Sequence, residues 1–191
     1  KSLIFTSSVA VYGLNKDNPD ESHPLDPFND YGKSKLLAEK KIFEWHKKNE
    51  NVQTIIVRPA VVFGEYNFGN VYNLIMQIKS GLFFVIGNGK NIKSIAYAGN
   101  LVDSVLFSLK NISDRLFIYN YSDYPQANIF DQSVILSKIL NKSKFLKIPL
   151  FLTKFITIPI DFIQLILKKD LKINSMRVKK FTISTNFKSD L

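Results

Sequence analysis

Tyr31 and Lys35 stand four residues apart at the head of a helix-patterned segment. That spacing puts a phenol and an ammonium on one helix face, about one turn apart. The chemistry open to such a pair is proton transfer. A phenol has a reference pKa near 10, and bringing it to about 7 takes roughly 4 kcal/mol of preferential stabilisation of the phenolate, which a neighbouring cation can supply. A tyrosine so tuned can take a hydroxyl proton while hydride leaves the same carbon. The spacing also recurs on any lysine-rich helix, where both residues are solvated surface, so the pair assigns nothing by itself. Ser7-Ser8 offers further hydroxyls at the C-terminal end of the first strand-like segment, where open parallel sheets bind ligands.

These residues need strands and a helix to hold them, and apolar periodicity supplies both. Residues 3–5 read as a strand, followed by a polar loop over 15–30 and a helix over 31–48. The β-branched run over 52–57, ended by Arg58-Pro59, predicts a strand buried on both faces. Further on, helices are expected over 71–79, 100–109 and 129–140, and strands over 83–86, 92–97 and 116–120. Strand and helix alternating at this spacing predict an α/β fold with a mostly parallel sheet. The apolar region 145–167 is interrupted by Lys147, Pro149, Lys154, Pro159 and Asp161, which predicts amphipathic helical structure in place of a membrane span. A peripheral membrane-surface contact through Phe151, Phe155 and Phe162 is the alternative reading.

Composition removes several function classes. The 191 residues contain no cysteine, so a disulfide scaffold, a thiolate metal site and a cysteine nucleophile are excluded. No acid–histidine spacing suggests a metal site of another kind. Lys plus Arg outnumber Asp plus Glu by 26 to 16, giving a formal charge of +10. Only Arg58, Arg115 and Arg177 are arginines, and the lysines are scattered along amphipathic patterns. Solvated helix faces explain them better than a nucleic-acid surface does. His23 and His46 read as loop and helix-surface residues, Trp45 as helix packing, and Asp103 as a helix start or core contact. Lys1 to Thr6 runs straight into a core-type strand and the polar ending completes no element, so the expectation is a fragment of a longer chain.

The company of the pair changes its weight. Thr6-Ser-Ser-Val-Ala-Val-Tyr-Gly13, Tyr31-Gly-Lys-Ser-Lys35, Ala38-Glu39 and Arg58-Pro-Ala-Val-Val-Phe-Gly64 occur in that order. Gly69-Asn70, Ile86-Gly-Asn-Gly89 and Tyr97-Ala-Gly-Asn-Leu-Val-Asp103 follow. As a set they resemble the extended short-chain dehydrogenase/reductase family of nucleotide-sugar epimerases and dehydratases, along most of the chain. The resemblance implies an incomplete Rossmann-type parallel sheet with a smaller α/β substrate-binding part. It places the C-terminal half of an NAD-binding domain in residues 1–66 and a mainly substrate-binding region in 67–191, with 97–122 returning to the first.

It also implies roles. Tyr31 would be the catalytic acid/base, and Lys35 would bind the nicotinamide ribose and lower the tyrosine pKa. Ser8 would hydrogen-bond the reacting sugar hydroxyl or ketone, with Ser7 beside it. Pro59, Ala60 and Val61 would border the nicotinamide of NAD. Asn70, Lys93 and Arg177 would face the nucleotide diphosphate, and Phe84 lies in the stretch that flanks the base. Two departures bear on the activity. Where the dehydratase branch carries an acidic pair this chain has Val9 and Ala10, so dehydration is not expected. The glycine-rich dinucleotide loop is absent, and Gly87-Asn-Gly89 lacks its third glycine.

The expected activity is therefore NAD-dependent epimerisation of a UDP-sugar at C4, for bacterial surface polysaccharide, by a cytoplasmic homodimer of the full-length protein. The fragment by itself is expected to be inactive. A nucleotide-sugar 4-ketoreductase using NAD(P)H and a non-catalytic binding module are the alternatives.

Overall fold

The computed structural model describes residues 1–14, 16, 18–142, 145–167, 175, 178 and 182–189, with backbone only at 154, 156 and 161–167. Two compact units emerge: the first is Lys1–Val71, Lys93–Gln126 and Thr185–Leu191, and the second is Tyr72–Ile92 and Ala127–Ser184.

The first unit is built on a three-stranded parallel sheet, β1 (Ser2–Thr6), β2 (Gln53–Pro59) and β6 (Leu116–Tyr121), in the order β1-β2-β6. The β-branched run becomes the middle strand, as its two-sided apolar character requires: Ile55, Ile56 and Val57 are fully buried. Helix α1 (Asp30–Lys48) connects β1 to β2. A further helix, α3 (Ala98–Asn111), precedes β6 and lays Leu101, Val105 and Leu109 on a core of Ile55, Val57 and Tyr119. Those positions recur every four residues, one stripe of a helix. The short strands β3 (Val61–Phe63) and β5 (Ile95–Tyr97) form a separate parallel pair. Val9, Val11, Tyr12, Ala60 and Phe187 make a second core, lined by Leu25 and Leu36.

The second unit holds most of α2 (Asn70–Lys79), the strand β4 (Phe84–Ile86), α4 (Ile129–Ile139), β7 (Leu146–Ile148) and α5 (Leu150–Leu167). Here β4 pairs in parallel with β7. Gly81, closing α2, has φ +73, a conformation that side chains with a Cβ rarely adopt.

The segment after Ser8 is a 3₁₀ turn, Val9–Tyr12, capped by the Ser8 hydroxyl. The parallel α/β class is as expected, and three local readings are corrected. The apolar region 145–167 begins with a strand, because a partner edge was available in β4. Asp103 is exposed in the second turn of α3, neither at the helix start nor in the core, and Trp45 on α1 is 39% exposed. His46 is buried, with Nδ1 2.8 Å from the Thr54 hydroxyl, because the last turn of α1 closes on the start of β2.

Candidate active site

The end of β1 and the start of α1 are brought together by backbone close approach. Asn29 caps α1, its side-chain oxygen accepting from the Gly32 amide at 2.8 Å, so helix begins one residue before Tyr31. A Cβ at Gly32 would stand 2.5 Å from the Ala10 carbonyl oxygen and 2.9 Å from Pro27 Cβ. Glycine at this position therefore lets the first turn of α1 press against the turn that follows Ser8. Tyr31 projects from that first turn and is 55% exposed.

Lys35, one turn on, reaches back across β1. Its Nζ donates to the Thr6 carbonyl at 2.9 Å and lies 5.9 Å from the centre of the Tyr31 ring and 5.1 Å from that of Phe5. The ammonium is thereby fixed at the C-terminal end of a parallel strand, beside the phenol. Ser7 extends the sheet, its amide donating to the Val57 carbonyl at 2.7 Å. Ser8 is nearly buried, and its oxygen accepts from the Ala10 amide at 3.2 Å, which leaves its hydroxyl proton for another partner.

Beneath these residues runs a buried polar chain. Glu39, two turns past Tyr31 on the same face as Lys35, is fully buried. It accepts from the Ser7 hydroxyl and takes a two-pronged ion pair from Arg58, Nε to Oε1 at 3.0 Å and Nη2 to Oε2 at 2.7 Å. Nη1 of Arg58 donates to the Tyr12 hydroxyl at 2.8 Å, and Tyr12 donates to Asn120 Oδ1 at 2.8 Å. The Asn120 backbone N–H donates to the Glu21 carboxylate. Each prong satisfies a group that would otherwise be stranded, which is the condition for tolerating buried charge. Burial pushes the Tyr12 phenol up, against the opposing pull of Arg58, so it remains a neutral donor. Burial also works against the Arg58 charge, but the bonds to Glu39 outweigh it and hold the guanidinium protonated. Sequence reasoning noted Glu39 and Arg58 only as parts of longer motifs. The available signal was Glu39 lying four residues after Lys35 and eight after Tyr31.

The remaining candidates divide. Pro59 ends β2, the Ala60 amide donates to the Tyr121 carbonyl at 2.8 Å, and Val61 opens β3, so all three sit at strand ends in the first unit. Asn70 is the exposed first residue of α2, and Lys93 pairs through its backbone with Thr185. Phe84, 45% exposed, belongs to the second unit, and Arg177 lies outside the described residues. Among the described residues there is no group of three His, Asp or Glu side chains placed to hold a metal ion.

Residues 1–120 match the model of the NAD dependent epimerase/dehydratase family. Over 189 residues the chain is 46% identical to an N-acetyl-alpha-D-glucosaminyl-diphospho-ditrans,octacis-undecaprenol 4-epimerase of Escherichia coli O157:H7, covering 98% of this chain and 57% of that protein. A UDP-glucose 4-epimerase of Lactobacillus helveticus is 31% identical over 132 residues, 59% of this chain and 40% of that protein. The UDP-glucuronic acid 4-epimerase of Bacillus cereus, solved in complex with NAD, superposes with a TM-score of 0.67 at 24% identity, over 78% of this chain and 50% of that one. The chain thus spans about half the length of the proteins it matches. With the family match running through β1, α1, β2 and β6, the elements that assemble Ser8, Tyr31 and Lys35, the chain belongs to the NAD dependent epimerase/dehydratase family.

Proposed function

We propose that the protein carrying this chain inverts C4 of a sugar held on a diphosphate, with NAD as its cofactor. The observation that carries the reading is the exposed Tyr31 phenol beside a Lys35 ammonium pinned to the end of β1. Its relatives fit the same chemistry: one acts on a sugar joined to undecaprenol through a diphosphate, others on UDP-sugars. The common element is the sugar diphosphate, and the 46% identity favours the polyprenol-linked form.

In this reading Tyr31 takes the proton of the sugar 4-hydroxyl and returns it after the ring has turned its other face. Ser8 spends its free hydroxyl proton on the same sugar oxygen, so the oxygen stays placed while its charge changes. Lys35 stabilises the phenolate, and the Thr6 carbonyl keeps its ammonium from swinging into solvent. The residues present fit the nicotinamide end of NAD. A fixed cation for the ribose hydroxyls, Ser7, and the backbone of Pro59, Ala60 and Val61 all lie at strand ends, where parallel sheets bind nucleotides. When bound, NAD supplies a hydride acceptor that is regenerated in each cycle. Residues 1–66, with 97–122, would form the cofactor half. Asn70, Phe84, Lys93 and Arg177 would hold the substrate diphosphate and its carrier. The same reading has the full-length protein work in the cytoplasm as a homodimer.

Full-length protein is to be incubated, without added cofactor, with UDP-N-acetylglucosamine and with N-acetylglucosaminyl-diphospho-undecaprenol. Appearance of the 4-epimer from either supports the reading. Strict dependence on NADPH with release of a reduced product overturns it in favour of a ketoreductase.

A further inference from the structure

Helix α5 has its polarity turned inside out. Phe151, Phe155 and Ile158 recur at one-turn spacing and are 62%, 74% and 63% exposed, and Leu152 beside them is 42% exposed. Among the side chains of α5 that are described, the buried ones are Thr153 and Thr157, 6% and 3% exposed, with the Thr153 hydroxyl returned to the Leu150 carbonyl at 2.6 Å. A helix that packs only on its own protein shows the reverse arrangement. Single exposed apolar residues are ordinary, whereas a continuous stripe of them marks a docking surface. Leu150, Leu146, Ile139 and Ile135 of the same unit are exposed as well.

The charge around the stripe says what kind of surface it fits. Between Asp131 and Asp161 there is no acidic residue, while Lys138, Lys142, Lys144, Lys147 and Lys154 all fall in that interval. Lys138, Lys142 and Lys147 are exposed. Aromatic and aliphatic side chains with lysines on their N-terminal side, and Asp161 as the one acidic residue of α5, suit the headgroup region of an anionic bilayer, where apolar burial and lysine–phosphate attraction add. Among the described residues no helix is long and apolar enough to cross a membrane, and Pro159 lies inside α5, so the helix would rest on the surface.

We propose that α5 docks the protein on an anionic lipid bilayer through Phe151, Phe155 and Ile158. This rests on the proposed function in one respect: a polyprenol-linked sugar diphosphate resides in such a bilayer, so docking brings enzyme and substrate to one surface.

The test is flotation of the full-length protein with vesicles of phosphatidylglycerol and phosphatidylethanolamine, and with vesicles of phosphatidylcholine alone. The protein is expected to float with the anionic vesicles and to be released from them progressively by salt. Phe151→Ser and Phe155→Ser should each weaken partitioning about tenfold, and Phe151→Leu and Phe155→Leu should retain most of it. Epimerisation of whichever water-soluble UDP-sugar or short-prenyl analogue the enzyme turns over should be unchanged in all four. Failure to float, flotation unaffected by the serine variants, or serine variants that convert a dimer into monomers without altering flotation would overturn the docking. A protein that turns over soluble substrate yet ignores anionic vesicles refutes the docking and spares the catalytic reading. One that floats as described but converts no sugar does the opposite.

Discussion

The two compact units distribute polarity in opposite ways. In the first, charged and hydrogen-bonding groups are drawn inside and paired: Glu39, Arg58, Tyr12 and Asn120 form one buried chain under the end of β1. In the second, Thr153 and Thr157 of α5 are buried while Phe151, Phe155 and Ile158 of the same helix are exposed. Buried charge costs desolvation and is tolerated where geometry satisfies every group, so the first unit spends stability on placing Ser7 and α1 relative to each other. An outward apolar stripe leaves burial unrealised in the protein and reserves it for a partner. The difference teaches that the first unit invests in fixing polar groups around Tyr31 and Lys35, while the second carries the surface from which docking is proposed.

The comparison can be broken or sharpened by substitutions in the full-length protein. The largest expected effect is on rate. Tyr31→Phe should lower epimerisation by about a hundredfold to ten-thousandfold while the thermal midpoint stays put, because the phenol is exposed and the proposed reading makes it the acid/base. Retention of most activity would remove Tyr31 from the mechanism.

Next comes stability. Arg58→Met leaves the Glu39 carboxylate buried and unpaired and should cost about 3–5 kcal/mol in denaturant unfolding. The double change with Glu39→Met should recover much of that loss, and a double variant as unstable as the single one would show that packing, not charge pairing, dominates there.

A smaller effect appears at high pH. Tyr121 is pushed up to about 12, chiefly by burial and then by Asp123, from an ordinary value of 10.0. The folded state therefore holds this proton more tightly than the unfolded chain. Its contribution is complete below pH 10 and is lost as pH rises toward 12. Tyr121→Phe should flatten the alkaline limb of the stability profile, and an unchanged limb would assign it to other groups. Smallest of all, Phe155→Ser should alter fold stability by no more than about 0.5 kcal/mol, although it removes a large apolar side chain. A loss of core size would mean that the α5 stripe is buried in the full-length protein.

Much of the first unit was legible in its sequence. A β-branched run ended by Arg58-Pro59 reads as a doubly buried strand, and β2 has that character because local side-chain shape and the proline stop act within a few residues. The pairing of Tyr31 with Lys35 was equally local, a matter of helix pitch. His46 was not legible, because a histidine flanked by Trp45 and Lys47 looks like surface until Thr54, eight residues on, closes over it. The strand at Leu146–Ile148 was hidden for a similar reason: a short apolar run becomes a strand or a helix according to the edge it meets, and that edge is β4, some sixty residues earlier in sequence.

What the sequence by itself determined was the alternation of strands and helices, the parallel α/β class and the one-turn spacing of Tyr31 and Lys35, all set by periodicity and helix pitch, whereas the grouping of that pair with Ser8 rested on the family resemblance. What only the tertiary structure decided was which polar groups are buried together and which apolar groups are left outside. Burial depends on contacts between distant residues, Glu39 with Arg58 and Tyr12 with Asn120, and on which side of α5 finds the protein. Helical pitch gives α5 two faces, and only the packed chain chooses the one turned outward.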